Sequence, residues 1–112
     1  MIKKLFLNFI NSINGIKEAL KEHSFIYELV GGLFLIPYIY FSDIDNLFKI
    51  IILSIYFLLL SFELLNTAIE KLSDKISKDF DSDIKKIKDL SSASVFLILI
   101  ILVSLIILSF FL

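Results

Sequence analysis

Residues 93–112 read ASVFLILIILVSLIILSFFL, an apolar stretch whose only polar residues are Ser94, Ser104 and Ser109. A helix needs about 20 consecutive apolar residues to cross the hydrocarbon core of a bilayer. Because this stretch is long enough and carries no charge, it predicts a transmembrane helix. The composition agrees, since 58% of all residues are apolar and soluble domains average about 45–50%.

Two further apolar stretches precede this one. The stretch 29–41 is short for a crossing unless it begins near Phe25 and includes Glu28, and the stretch 47–65 carries only two charged residues, Lys49 and Glu63. A short polar turn separates them. We therefore predict transmembrane helices at about 26–42, 47–69 and 92–112, with a charged loop over about 70–92.

The segment 2–22 has Ile, Leu and Phe at spacings of three and four, with Lys and Asn on the opposite face. This pattern predicts an amphipathic helix that lies in a membrane surface, and a helix packed against protein is the alternative. No repeat or linker divides the chain. We predict one all-α membrane domain over 1–112, a surface helix followed by three transmembrane helices.

The lysines predict the orientation, because all of them except Lys49 lie before the first crossing or in 70–92. The positive-inside rule places the N-terminus and the 70–92 loop in the cytoplasm and the C-terminus outside. The balance of 11 Lys against 12 acidic residues argues against a nucleic-acid partner. The absence of Arg and Cys, with the single His23, leaves carboxylates, Lys, amides and hydroxyls for chemistry.

A polar stripe leaves the second predicted span. At about 100° per residue, Glu63, Asn66, Glu70 and Asp74 fall within about 80° of one another on a helix. Ionisable residues inside a membrane indicate a functional site and seldom face lipid, so association of several copies is a natural remedy. The alternative is that these carboxylates only mark where the helix leaves the bilayer. Carboxylates suit Mg²⁺ binding and general-base catalysis, which phosphoryl transfer combines.

The run Glu63-Leu-Leu-Asn66-Thr-Ala-Ile-Glu70-Lys-Leu-Ser-Asp74 resembles the signature E-x-L-N-[ST]-A-I-E-x-x-x-D of prokaryotic diacylglycerol kinases. The resemblance continues at Lys88-Asp89, before the small residues 91–93, and at Glu22. It implies a homotrimeric helix bundle in the bacterial cytoplasmic membrane, with active sites shared between neighbours. It also implies transfer of phosphate from ATP, with Mg²⁺, to a membrane lipid.

The resemblance also implies roles for individual residues. Glu63 would be the catalytic base, and Glu22 and Glu70 would hold Mg²⁺. The residues implied for nucleotide binding are Lys4, Glu22, Asn66, Glu70, Asp74, Asp79, Phe80, Asp81, Lys88 and Asp89. Those implied for the lipid are Ser24, Phe25, Glu28, Glu63 and Ser92. Lys4 departs from the family pattern, because it stands where the family often has Arg.

Three alternatives remain open for the function. The order Glu22-x-x-Phe25-x-x-Glu28 resembles the diacylglycerol branch of the family, whereas the undecaprenol branch tends to have Glu-Arg-Asn there. Undecaprenol is therefore the second candidate substrate. A non-enzymatic cation channel lined by Glu63 and Glu70 is a third hypothesis, and a structural subunit of a larger complex is a fourth.

Overall fold

The computed structural model describes all 112 residues, which form four α-helices and no strands. The helices are α1 (Ile2–Ala19), α2 (His23–Phe41), α3 (Asn46–Ile76) and α4 (Ser82–Ser109). The last three are long and apolar enough to cross a membrane. The predicted all-α architecture with three transmembrane helices is therefore confirmed. The placement of α1 on a membrane surface and the trimer stay predictions.

The charged segment 70–92 is mostly helical, so its prediction as a loop is wrong. Helix α3 continues to Ile76 and α4 begins at Ser82, which leaves only residues 77–81 as a link. Asp81 caps α4 by accepting hydrogen bonds from the backbone N–H groups of Asp83 and Ile84 at 2.9 and 3.1 Å. Within α4, Lys85 and Asp89 form an ion pair one turn apart, an arrangement that stabilises a helix outside the bilayer.

Two other predicted boundaries also differ from the structure. Helix α1 ends at Ala19, before the predicted residue 22, and α4 ends at Ser109, before residue 112. Glu22 instead has extended backbone angles and stands directly before α2. The polar turn between the first two crossings is residues 42–45, as the sequence indicates.

Helix α3 is the centre of the bundle. Its residues Ile52 and Leu59 are the largest fully buried side chains, and they join a core with side chains of α2 and α4. Only 15 of the 112 residues are buried, and most Phe, Ile and Leu side chains are exposed. The outer surfaces of the helices are therefore suited to lipid or to further copies of the chain.

Helices α2 and α4 meet at the end of the bundle that contains the 42–45 turn. The hydroxyl groups of Tyr38 and Ser109 form a hydrogen bond of 2.8 Å, and the Tyr38 ring lies 5.2 Å from that of Phe110, centroid to centroid. Towards the other end a cavity separates the two helices. This end contact therefore closes a groove between α2 and α4.

Helix α1 contacts α3 through its C-terminal half. Ala19 is buried, and Oε2 of Glu18 lies 3.6 Å from Nζ of Lys71 on α3. The molecule extends 50 × 41 × 22 Å. A helix of the length of α3 spans about 46 Å, which accounts for the longest extent. The 41 Å extent is wider than three adjacent helices require, so α1 projects sideways from the bundle.

Candidate active site

The predicted polar stripe lies on one uninterrupted helix. Because α3 runs to Ile76, Glu63, Asn66, Glu70 and Asp74 share one of its faces. Glu63 is buried with 7% of its surface exposed, Asn66 and Glu70 are half-buried, and Asp74 is exposed. The stripe therefore runs from the enclosed part of the bundle to the solvent-accessible end of α3.

The buried end of the stripe lies in a groove formed by α2, α3 and α4. The groove holds a cavity of about 500 Å³ whose walls are mostly apolar. Tyr56, Leu59 and Glu63 line it from α3, while Ser24 and Glu28 line it from α2. We name this space the lipid groove, because an apolar cavity with a few polar groups at one end suits the head of an amphipathic ligand.

Glu28 and Glu63 both line the lipid groove, Glu28 from α2 and Glu63 from α3. One oxygen of Glu28, Oε2, is buried and has no donor from the protein. A pair of carboxyl groups with a free acceptor oxygen is an arrangement that can bind a hydroxyl group and take its proton.

The solvent-accessible half of the stripe is ordered by side-chain hydrogen bonds. The Asn66 amide donates to Glu70 Oε1 at 3.1 Å, which orients the Glu70 carboxylate. Lys88 Nζ lies 2.6 Å from Asp74 Oδ1 and joins α4 to α3. Asp89 is paired with Lys85 on its own helix. Asn66 with Glu70, and Asp74 with Lys88, thus form two hydrogen-bonded pairs where α3 and α4 leave the apolar region.

The expected metal ligands, Glu22 and Glu70, belong to the same end of the bundle. Helices α2 and α3 are antiparallel, Glu22 stands directly before α2, and Glu70 lies about 10 Å along α3 from Glu63. Asn66 Oδ1 is buried without a partner and adds a free oxygen. No three acidic or His side chains cluster as a metal site within the chain, so bound phosphates would have to complete the ligands of a hard cation.

The other predicted site residues lie at various distances from the groove. Ser24 lines it, whereas Phe25 is buried in the packing of α2 and Ser92 is exposed outside the lining. Asp79, Phe80 and Asp81 form part of the 77–81 link, and Phe80 is 84% exposed. Lys4 lies about 22 Å along α1 from the contact of Ala19 with α3, so a single chain does not bring it to the stripe.

The sequence reasoning missed Tyr56. Tyr56 is buried, lines the lipid groove, and donates a hydrogen bond of 2.9 Å to the backbone carbonyl of Glu28. The available signal was its position seven residues before Glu63, which puts both side chains on one face of α3. Within an apolar run, that spacing alone does not distinguish Tyr56 from an ordinary core residue.

The sequence model of the family described as prokaryotic diacylglycerol kinase matches residues 10–110. The chain belongs to this family. A diacylglycerol kinase of Haemophilus influenzae is 35% identical over 91 residues, which cover 80% of the chain and 77% of the relative. A diacylglycerol kinase of a Sinorhizobium species is 34% identical over 93 residues, 81% of the chain and 66% of the relative.

Membership of the prokaryotic diacylglycerol kinase family makes the chain a membrane-embedded lipid kinase. The resemblance read from the sequence is thereby confirmed. A kinase of this kind carries out a nucleotide- and metal-dependent reaction, which agrees with the carboxylate and amide oxygens at the end of α3.

Proposed function

We propose that this lipid kinase transfers the γ-phosphate of ATP to the hydroxyl group of diacylglycerol and produces phosphatidic acid. The observation that carries the proposal is the placement of Glu28 and Glu63 in the lining of one mostly apolar groove. Carboxyl groups at this depth are costly unless they serve a purpose. A lipid whose acyl chains occupy the apolar part of the groove would present its hydroxyl to the polar end.

In the proposed reaction, Glu63 acts as the general base. Its carboxylate accepts the proton of the lipid hydroxyl while that oxygen forms a bond to the γ-phosphorus of ATP. The bond from this phosphorus to the bridging β,γ-oxygen breaks, and ADP leaves with the electron pair. Glu63 then releases its proton to water. Glu28, whose Oε2 has no partner in the protein, orients the lipid head group beside Glu63.

We assign the nucleotide to the solvent-accessible half of the stripe. Asn66 orients Glu70, and Lys88 fixes the position of Asp74. Asp89 and the 77–81 link border the same end of α3 and α4. Mg²⁺, held by Glu22 and Glu70, would neutralise charge on the transferring phosphate.

We further propose that the active enzyme is a homotrimer and that α1 lies in the cytoplasmic membrane surface. The small number of buried residues supports association, because neighbouring copies would then cover polar residues of the stripe that are exposed in a single chain. The sideways projection of α1 supports its surface position. In this orientation the N-terminus and residues 70–92 face the cytoplasm and the C-terminus lies outside, and Lys4 reaches a nucleotide only in a neighbouring copy.

We choose diacylglycerol over undecaprenol as the proposed substrate because of Phe25 and Glu28, and because both relatives are named diacylglycerol kinase.

The test is transfer of labelled γ-phosphate from MgATP to lipid in mixed micelles, with diacylglycerol and undecaprenol supplied separately. We expect labelled phosphatidic acid, and a loss of about 10²- to 10⁴-fold in kcat for Glu63→Gln.

The matched control is Glu18→Gln, which removes a carboxylate from the exposed surface of α1 and should leave kcat unchanged. Label in undecaprenyl phosphate alone would retain the chemistry and replace the substrate. If a folded oligomer labels neither lipid, the proposed reaction is wrong. Conductance without ATP turnover would then favour the channel hypothesis.

A further inference from the structure

The hydroxyl group of Tyr56 reaches the backbone of α2 at the residue that carries a groove carboxylate. It donates a hydrogen bond of 2.9 Å to the carbonyl oxygen of Glu28. In an α-helix this carbonyl also accepts from the N–H of residue 32, one turn further on. The Tyr56 ring therefore lies against the helix between Glu28 and Gly32.

Gly32 is what makes this close approach possible. A Cβ atom at Gly32 would overlap the Tyr56 hydroxyl oxygen and would lie 2.6 Å from Cζ of the ring. Neither atom can move aside easily, because Tyr56 is only 5% exposed and packs in the core of the bundle. The absence of a side chain at Gly32 therefore permits the hydrogen bond to Glu28.

Helix α3 contacts the backbone of Glu28 on the same face that carries Glu63. Tyr56 donates to the Glu28 carbonyl, and Glu63, two turns further along α3, lines the same groove as Glu28. The hydrogen bond from Tyr56 fixes the backbone of α2 at Glu28 relative to α3. The point from which the Glu28 side chain enters the groove is therefore set by this contact.

Packing alone does not account for the hydroxyl. Phe would fill the same space in the core, whereas a buried hydroxyl without a partner carries a desolvation cost. Here the hydroxyl has one partner, and that partner belongs to a proposed substrate-binding residue.

We propose that Tyr56 is a positioning residue for lipid phosphorylation, which holds Glu28 opposite Glu63 through the close contact at Gly32. This inference rests on the proposed function, since it assigns a purpose to the pair of carboxyl groups. Tyr56 acts through Glu28 and does not need to touch the reacting atoms. Its effect should therefore appear on the lipid and not on the nucleotide.

The first experiment compares Tyr56→Phe with the wild-type enzyme in mixed micelles. We expect kcat with the lipid to fall about five- to tenfold, the factor that one neutral hydrogen bond supplies, while KM for MgATP is unchanged. Tyr40→Phe is the matched control, because Tyr40 is on α2, the helix of Glu28, and is 75% exposed, and it should behave as wild type. An unchanged kcat for Tyr56→Phe, or an equal change in KM for MgATP, overturns the inference.

The second experiment measures Gly32→Ala in two backgrounds, so it does not depend on one variant. In the wild-type background we expect kcat to fall about 100-fold, as expected when reacting groups are displaced by about 1 Å. With Tyr56→Leu, which removes the ring, Gly32→Ala should cost less than twofold. Equal losses in both backgrounds would contradict the contact, and Gly15→Ala, where a Cβ meets open space, is the control. A wild-type chain without any lipid kinase activity would instead refute the proposed function itself.

Discussion

Lys88 Nζ lies 2.6 Å from Asp74 Oδ1, and this ion pair joins the second turn of α4 to the last turn of α3. The two residues lie on either side of the 77–81 link between α3 and α4. Both side chains are partly exposed, so the pair should add little to stability. Its main effect should be to fix the geometry of the proposed nucleotide site.

Exchange of the two charges separates the effect of the ion pair on stability from its effect on the nucleotide site. In Asp74→Lys/Lys88→Asp the ion pair can re-form, so the free energy of unfolding should change by less than about 1 kcal/mol. The carboxylate and ammonium groups nevertheless change places relative to the nucleotide. We expect KM for MgATP to rise at least about tenfold, measured by initial rates at saturating lipid.

The control for this exchange is Lys86→Ala, since Lys86 is exposed on the same part of α4 and forms no ion pair. It should leave KM for MgATP unchanged. Full activity in the exchanged variant would show that the pair is only a link between helices.

The amide of Asn66 orients the carboxylate of Glu70 through a hydrogen bond of 3.1 Å. In Asn66→Ala the carboxylate loses this orientation, and the free Oδ1 atom is removed. We expect the Mg²⁺ concentration for half-maximal activity to rise about 10- to 100-fold, as for other residues that orient metal ligands. Ser61→Ala is the control, because its hydroxyl bonds only within α3. Equal Mg²⁺ dependence in all three proteins would remove Asn66 from the site.

Tyr38 and Ser109 join α2 to α4 at the end opposite the stripe. Tyr38→Phe should lower the free energy of unfolding by about 0.5–1 kcal/mol, the usual value of a hydrogen bond between transmembrane helices. Because the ring remains, KM for MgATP should not change. Thermal unfolding in detergent checks the first value and initial rates check the second. A stability equal to wild type would show that this hydrogen bond does not contribute to stability.

Glu18 at the end of α1 forms ion pairs with Lys21 and with Lys71 of α3. A hydrogen bond from Lys21, the charge of Lys21 and the charge of Lys71 together lower the pKa of Glu18 below its usual range. A lowered pKa means that the ion pairs persist as the pH falls through the usual range of a glutamate and are lost only in more acidic solution. Lys21→Gln should therefore raise the pKa of Glu18, as measured by NMR titration of its carboxyl carbon. High salt should reduce the difference between the two proteins, because the groups are exposed.

The sequence predicted the features that depend on local periodicity. Three apolar helices and the common face of Glu63, Asn66, Glu70 and Asp74 follow from residue spacing, and α3 has them as expected. The high density of charge over 70–92 predicts a loop, but α3 continues to Ile76 and α4 begins at Ser82. Charges at helical spacing, such as Lys85 and Asp89, stabilise helices in water, so both helices continue beyond the apolar region.

Contacts between distant residues could not be predicted in this way. The shared groove of Glu28 and Glu63 and the contact of Tyr56 with Gly32 depend on the crossing of α2 and α3. No periodic pattern records that crossing. The position of Lys4, far along α1 from the stripe, equally requires the direction in which α1 leaves the bundle.

The contact at Gly32 also restricts the order in which the sequence can drift. Position 32 can acquire a side chain only after position 56 has lost its ring, and Tyr can arise at 56 only while 32 is Gly. The effect of a substitution at one position therefore depends on the residue at the other. The order in which the two substitutions occur decides whether the intermediate protein keeps its packing.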